Sequence, residues 1–332
     1  MGEGRASGSG EDALIARYFR PVATDPGAFG LRDDAAILMT DGRDLVVTVD
    51  AVVAGVHFLP DDPPDTIARK ALRVNLSDLA AKGAEPAGFV VTLALREVAE
   101  DWLAPFARAL GEDAAMFGCP LLGGDTVSTP GPVSISITAF GRVPAGAMVQ
   151  RWGAVPGDHV LVTGTIGDAA LGLRVLQGRA GGIFAGQPNA AAFLADRYRV
   201  PQPRTALAEA VRLCANAAMD VSDGLAGDLA KLCGVSGVSA RIEAEAVPLS
   251  APAREAVAAG AVTLADLVSG GDDYEILCTV PDARLADFLA RAQAVDVPVM
   301  PIGRIADGEG APQFIDAHGA PLPLARLSYS HF

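Results

Sequence analysis

The chain has 332 residues, half of them apolar and only 5% aromatic, so it is long enough for about two ordinary domains with cores of Ala, Val, Leu and Ile. Lys and Arg total 26 against 40 Asp and Glu, and the resulting charge of −14 argues against nucleic-acid partners, which are drawn to basic patches. No apolar run approaches the roughly 18 residues of a membrane span, and the N-terminal MGEGRASGSGED lacks the apolar stretch of a signal peptide. A soluble, cytoplasmic protein with no membrane partner is expected.

Residues 1–10 read as a disordered tail, and Glu11–Arg20 as a short helix. A β-branched strand is predicted at Leu45–Asp50. Asp65–Lys82 follows as a helix, because Ile67, Ala71, Leu72, Leu76 and Leu79 recur near helical spacing and Gly83 stops the run. Phe89–Leu95 reads as a strand and Trp102–Phe117 as a helix closed by Gly118. Pro132–Val143 alternates apolar Val133, Ile135 and Ile137 with Ser134, Ser136 and Thr138, the pattern of a half-buried strand.

Beyond the Arg151–Pro156–Gly157 stretch, the expected domain boundary, the mixture repeats. A strand at His159–Thr163 runs through a Gly turn into a helix over Asp168–Gln177. Gly178–Asn189 is rich in glycine and reads as a mobile loop. Helices are predicted at Arg204–Ala215, Gly224–Leu232 and Ala283–Ala294, with strands at Tyr274–Val280 and Val297–Ile302. Strand and helix alternate in both halves, so the class is α/β (or α+β), with domains at 11–150 and 151–332.

The common nucleotide motifs are missing: there is no GxxxxGK[ST], no GxGxxG after a strand and no HRD or DFG triplet. Four scattered cysteines, Cys119, Cys214, Cys233 and Cys278, never fall at CxxC spacing, and read as small buried hydrophobes.

The aspartates are distinctive. They stand at strand ends or beside glycines: Asp33 and Asp34 in GLRDDAA, Asp50 in TVDAVVAGVHF, Asp78 in NLSDLAAKGA, Asp125 in LLGGDT, Asp220 and Asp223 in MDVSDGLAGDL, Asp272 and Asp273 in SGGDDYE. Any one of them is an ordinary turn or cap residue. Together they form an oxygen-rich set with few His or Cys, which favours a hard cation and points to magnesium. Within MDVSDGL, Asp220 and Asp223 can reach one metal cluster, while Ser222 is a candidate cap for the next helix; a plain capping turn is the alternative. The glycine pairs Gly123–Gly124 and Gly270–Gly271, and the Gly164/Gly167 turn, permit close backbone approach and can aim N–H groups at phosphates. Lys70, Arg73, Arg142 and Arg151 are the nearby cationic candidates, each also readable as ordinary surface charge.

At this point the residues carry a resemblance. GLRDDAA, TVDAVVAGVHFLP, KALRVNLSDLAAKGA, LLGGDT, RWGAVPGDHVLVTGTIGDAALGL, MDVSDGLAGDL and SGGDDYE, in this order, resemble the thiamine-monophosphate kinase family, in the superfamily of aminoimidazole ribonucleotide synthetase and selenophosphate synthetase. The likeness runs from about Glu11 to the C-terminal SYSHF. It implies a two-domain aminoimidazole-ribonucleotide-synthetase-like fold, with the N-terminal sheet joining across a homodimer. It also implies ATP-dependent phosphorylation of thiamine phosphate to thiamine diphosphate, with several Mg²⁺ ions, ATP as co-substrate and no covalent nucleophile. On this resemblance the metal ligands fall on Asp33, Thr48, Asp50, Asp78, Asp125, Asp220 and Asp223. The ATP contacts fall on Gly124, Asp125, Arg151 and Ser222, and the thiamine phosphate contacts on His57, Asp272 and Tyr329.

Three positions depart from the family pattern. Arg32 stands where a glycine is usual, Val49 replaces a hydroxyl residue beside Asp50, and Asp272 replaces a glutamate one methylene longer. Two other readings stay open: a selenophosphate-synthetase-like enzyme, disfavoured because the first cysteine is Cys119, and a magnesium-nucleotide-binding protein without turnover. The physics agrees with the resemblance, because an acidic cleft receives phosphates only through cations, and phosphoryl transfer asks mainly for alignment and charge neutralisation.

Overall fold

The structure is a computed structural model and describes residues 14–28, 30–31 and 38–324. The chain divides into two compact units, one drawn from Met1–Asn75 and Pro86–Arg142, the other from Leu76–Glu85 and Val143–Phe332. Among the described residues no helix is long and apolar enough to cross a membrane.

In the first unit, strands β1 (Asp44–Val53), β2 (Glu85–Leu95), β3 (Leu121–Ser128) and β4 (Ser134–Val143) form a four-stranded sheet in the order β1-β4-β2-β3. Strands β2 and β3 run parallel, with Thr92 opposite Asp125. Helices α1 (Pro64–Ala81) and α2 (Glu100–Met116) accompany the sheet in sequence. The predicted apolar stripe of α1 is buried throughout, as are Leu103, Phe106 and Leu110 of α2. The two helices are joined by Arg73, whose guanidinium donates to Asp113 at 2.5 and 3.0 Å. That pairing answers one of the cationic candidates: Arg73 is buried against a carboxylate of its own unit, and Lys70 is 1% exposed, so neither is a surface charge. The alternation read in Pro132–Val143 is observed, with Ile135, Ile137, Ala139 and Val143 buried on β4.

The strand β3 was not read from LLGGDTVS, since paired glycines weaken a strand pattern. The structure gives the reason they are there. A methyl group on Gly124 would lie 2.0 Å from the Val91 carbonyl oxygen of β2, so only glycine fits that approach.

In the second unit, β5 (His159–Thr163), β6 (Ala217–Asp220), β7 (Ser239–Glu243), β8 (Ile276–Val280), β9 (Val299–Ala306) and β10 (Gln313–Ile315) form a six-stranded sheet ordered β10-β7-β9-β5-β8-β6. It is antiparallel except for the β10–β7 pair. Its helices are α3 (Asp168–Leu176), α4 (Pro188–Arg199), α5 (Ala208–Cys214), α6 (Leu225–Ser236), α7 (Ala251–Ala258), α8 (Leu264–Val268) and α9 (Asp282–Ala294). Both faces of the sheet are covered. Val160 and Val162 of β5 pack with Leu225, Leu229 and Leu232 of α6, whereas Leu161 between them packs with Val211 of α5 and Phe288 of α9. This two-sided burial is why the strand reads as an unbroken apolar run.

The helix expected at Glu11–Arg20 is a short π-helix, Ile15–Phe19, followed by a 3-10 turn at Arg20–Val22; residues 11–13 lie outside the described residues. The stretch read as a mobile loop is a series of turns held by Phe184, which is buried with Leu171 and Leu194, and it passes into α4 at Pro188. Helices α7 and α8 escaped periodicity because they are short. Both have caps the sequence displays: Ser250 accepts from the Ala253 N–H, and Thr263 forms a capping box with Asp266.

Candidate functional site

In the first unit the expected ligands divide between two sheet edges. Thr48 and Asp50 lie on edge strand β1, on the same face as buried Val46 and Val52. Val49 points the opposite way and is 61% exposed, so a hydroxyl there would face away from Thr48 and Asp50. The Asp50 N–H donates to Asn75 Oδ1 of α1 at 3.1 Å, and Asn75 donates in turn to the Ala71 carbonyl, fixing the backbone beside the carboxylate. Gly124 and Asp125 lie on the other edge strand, β3. With β4 and β2 between them, Asp50 and Asp125 stand three strand spacings apart, roughly 14 Å in one chain.

His57 follows β1 in a tight turn. Its N–H donates to the Val53 carbonyl at 2.9 Å, and its Nδ1 accepts the Val53 N–H at 3.1 Å. In the neutral ring that bond assigns the proton to Nε2.

In the second unit, Asp78 lies on the C-terminal part of α1 and Asp220 ends β6, buried at 7% exposure. Lys82 interacts electrostatically with both of them and with Arg151. Burial lowers the pKa of its ammonium group, Arg151 lowers it further, and the two carboxylates oppose this. Its Nζ donates to the Ala218 carbonyl at 2.7 Å. Lys82 was passed over in the sequence because it only closes a helix. Arg151 is exposed, and its neighbour Gln150 accepts the Ala218 N–H at 2.9 Å beside β6.

The VSDGL turn corrects one expectation. Ser222 does not cap the following helix: the N-cap of α6 is Gly224, with φ of 112° and no side-chain cap bond. Asp228 does the work from within the helix, its Oδ2 accepting the N–H groups of Ser222 at 3.0 Å and Asp223 at 2.9 Å. A carboxylate in the first turn also suits the helix dipole. Lys231 completes the arrangement, donating to Asp223 at 2.5 Å and Asp228 at 2.8 Å. The one signal for Asp228 in the sequence is its place in the first turn of the predicted helix.

The Gly164/Gly167 turn is also corrected. Its N–H groups do not await a phosphate, because the buried carboxylate of Asp273 takes those of Gly167 at 2.7 Å and Ala169 at 3.3 Å. Beside it, Glu275 accepts from Thr163 at 2.6 Å, from Arg197 at 2.8 Å and from Arg204 at 2.7 and 2.6 Å. Gly271 permits a close approach, but to the protein itself: a methyl there would lie 2.5 Å from the Ser222 carbonyl. Asp272 is half-buried, with φ of 72°, and donates its N–H to that same carbonyl at 2.8 Å.

Asp33, Arg32 and Tyr329 lie outside the described residues. Among the described residues no group of three or more His, Cys, Asp or Glu side chains converges as a metal-holding cluster. The donors that are described are all oxygen, a set suited to a hard cation. All four cysteines are free and buried, as expected.

Comparison with known proteins agrees with this picture. The model of the AIR synthase related protein N-terminal domain matches residues 32–143, and that of the C-terminal domain residues 155–313. The chain is similar to Thiamine-monophosphate kinase of Caulobacter vibrioides, 43% identical over 96% of this chain and 89% of that one. Among solved structures it resembles Thiamine-monophosphate kinase from Stenotrophomonas maltophilia K279a, with a TM-score of 0.80 and 37% identity over 92% of this chain and 95% of the other. It also resembles AaThiL complexed with AMPPCP and TMP, with a TM-score of 0.76 and 28% identity over 92% and 97% of the two chains.

Proposed function

This chain belongs to the thiamine-monophosphate kinase family of AIR synthase related proteins, and from that premise we propose that it transfers the γ-phosphoryl group of ATP to thiamine phosphate, giving ADP and thiamine diphosphate. The observation that carries the reading is the near full-length likeness to enzymes of that name, supported by the likeness to a structure holding AMPPCP and TMP. The acceptor phosphate is itself the nucleophile, so the chain's task is to align two anions and offset their charge. Asp33, Thr48, Asp50, Asp78, Asp125, Asp220 and Asp223 would hold Mg²⁺, which when bound supplies neutralisation of the phosphate oxygens. Gly124, Asp125, Arg151 and Ser222 are assigned to ATP. His57, Asp272 and Tyr329 are assigned to thiamine phosphate.

Homodimerisation fits the same reading. Strand β1 is a sheet edge with exposed Leu45, Val47 and Val49, an apolar row that a second copy of the sheet would cover. A cytoplasmic location agrees with four unpaired cysteines. The selenophosphate-synthetase-like alternative calls for a reactive thiol, and burial pushes Cys119 up to about 12. The test is ADP release from Mg-ATP with and without thiamine phosphate, with the product identified chromatographically. Release only when thiamine phosphate is present, with thiamine diphosphate formed, supports the assignment; release independent of it, or none, sinks it.

A further inference from the structure

The ammonium of Lys231, on α6, is tethered on one side and shared on the other. Its tether is Asp228, one helical turn earlier and 0% exposed, whose Oδ1 accepts from Nζ at 2.8 Å. That carboxylate is fixed in turn, because its Oδ2 takes the N–H groups of Ser222 and Asp223. On the other side Nζ donates to a single atom of Asp223, Oδ2, at 2.5 Å. Asp223 Oδ1 takes no hydrogen bond among the described residues, and the side chain is 35% exposed. The turn therefore presents Asp223 with one oxygen engaged and the other open.

One oxygen or two is a distinction that separates the hard divalent cations. Magnesium keeps a small octahedral shell and takes a carboxylate through one oxygen, whereas calcium is larger, accepts more donors and often takes both. Hydrogen bonds that hold a ligating carboxylate from behind are commonly worth about 10–100-fold in metal affinity. We propose that Lys231 is a positioning residue that sets metal selectivity: by holding Asp223 Oδ2 it leaves a one-oxygen ligand, which suits magnesium and denies calcium its second contact. This rests on the proposed function, in which Asp223 is a metal ligand. Both ions carry the same charge, so repulsion by the ammonium weakens them nearly alike, and the hydrogen bond is what tells them apart.

The test follows the melting temperature of the protein titrated with magnesium chloride or calcium chloride alone, which gives an apparent Kd for each ion. Lys231→Met should shift the ratio of the two about ten-fold toward calcium. Lys231→Arg, which keeps the charge and the donors, should hold the ratio near wild type. A ratio unmoved by Lys231→Met, including a rise of both affinities by one factor, overturns the proposal, and so does an equal shift in Lys231→Arg. Should Lys231→Met fail to fold with Asp228 left uncompensated, Lys231→Met combined with Asp228→Asn removes both charges and is judged by the same ratio. Asp223→Asn keeps the proposal distinct from the reading beneath it. Titrations that it leaves unmoved remove the ligand role and the proposal together. Weaker binding by Asp223→Asn, beside an unchanged ratio in Lys231→Met, ends the proposal alone. The titrations need no turnover, so they stay decisive even if thiamine diphosphate is not formed.

Discussion

Asp228 holds Asp223 in place: its buried carboxylate accepts the Asp223 N–H at 2.9 Å, and the two acids share the ammonium of Lys231. The pair separates chemistry from support. Asp223 is 35% exposed and proposed as a metal ligand, so Asp223→Asn should remove most turnover while the melting temperature stays close to wild type. Asp228→Ala leaves the Ser222 and Asp223 N–H groups without their acceptor and takes from Lys231 one of its two carboxylates. It should lose activity and also about 2–4 kcal/mol of stability. Paired urea titrations and turnover assays check this, and near-normal turnover by Asp223→Asn would falsify the ligand role.

Gly124→Ala should destabilise the first unit. Its new methyl would collide with the Val91 carbonyl, and β3 must shift to relieve the overlap. A loss of about 2–4 kcal/mol is expected, the range of severe overpacking. Gly123→Ala meets nothing within 4 Å and is the control. Equal melting temperatures for the two variants would show that β3 yields easily.

Burial pushes the Asp273 carboxyl well above its ordinary range, and the Asp168 carboxylate adds to the rise, while the Gly167 and Ala169 N–H groups and Arg197 oppose it. The folded state therefore binds this proton more tightly than the unfolded chain does. The associated stability is complete below the ordinary carboxylate value of about 4 and is lost as pH rises through the folded value. Asp273→Asn does not titrate. The melting temperature of wild type, measured relative to Asp273→Asn, should fall as pH rises above the ordinary carboxylate value of about 4. A difference that stays flat as pH rises from there contradicts the raised pKa.

The cysteines should be chemically silent. Burial pushes Cys119 up to about 12 and Cys233 up to about 11, and it raises Cys214 and Cys278 as well. An aromatic disulfide reagent at pH 8 should label none of the four until denaturant is added. A variant with all four replaced by alanine, if it folds, should keep its turnover. Loss of turnover with an unchanged circular dichroism spectrum would restore a thiol-dependent reaction.

The exposed apolar row on β1 bears on assembly. Val47→Lys with Val49→Lys places two charges where Val47 is 56% and Val49 61% exposed, so the single chain tolerates them. Light scattering should report a dimer for the wild type and a monomer for the double variant. A double variant that remains dimeric moves the interface elsewhere.

What was legible in the sequence followed from burial pattern. Strand β4 was readable because it buries one face and β5 because both of its faces are covered, while helix α1 was readable from its apolar recurrence even though nearly all of Ile67–Ala81 is buried. Strand β3 was not, since its glycines serve contacts with β2 that no local pattern encodes. The site divides the same way. Acids at strand ends or beside glycines marked Asp50, Asp125 and Asp223 as candidates, whereas the residues that hold Asp50 and Asp223, Asn75 and Asp228, lie on helices and look like ordinary helical positions. The Gly167 turn misled because an anion was expected from outside, and Asp273, more than a hundred residues later in the chain, fills that role.

The lysines among the acids have a consequence for the proposed magnesium sites. Lys231 lies between Asp223 and Asp228, and Lys82 interacts with Asp78 and Asp220, so carboxylates that would otherwise repel each other already have a fixed counter-charge within the chain. Chelation would then silence the protein without unfolding it. A newly made chain could complete its fold before any divalent cation arrives, and magnesium would act as an on-switch for a finished structure rather than as the staple that creates it.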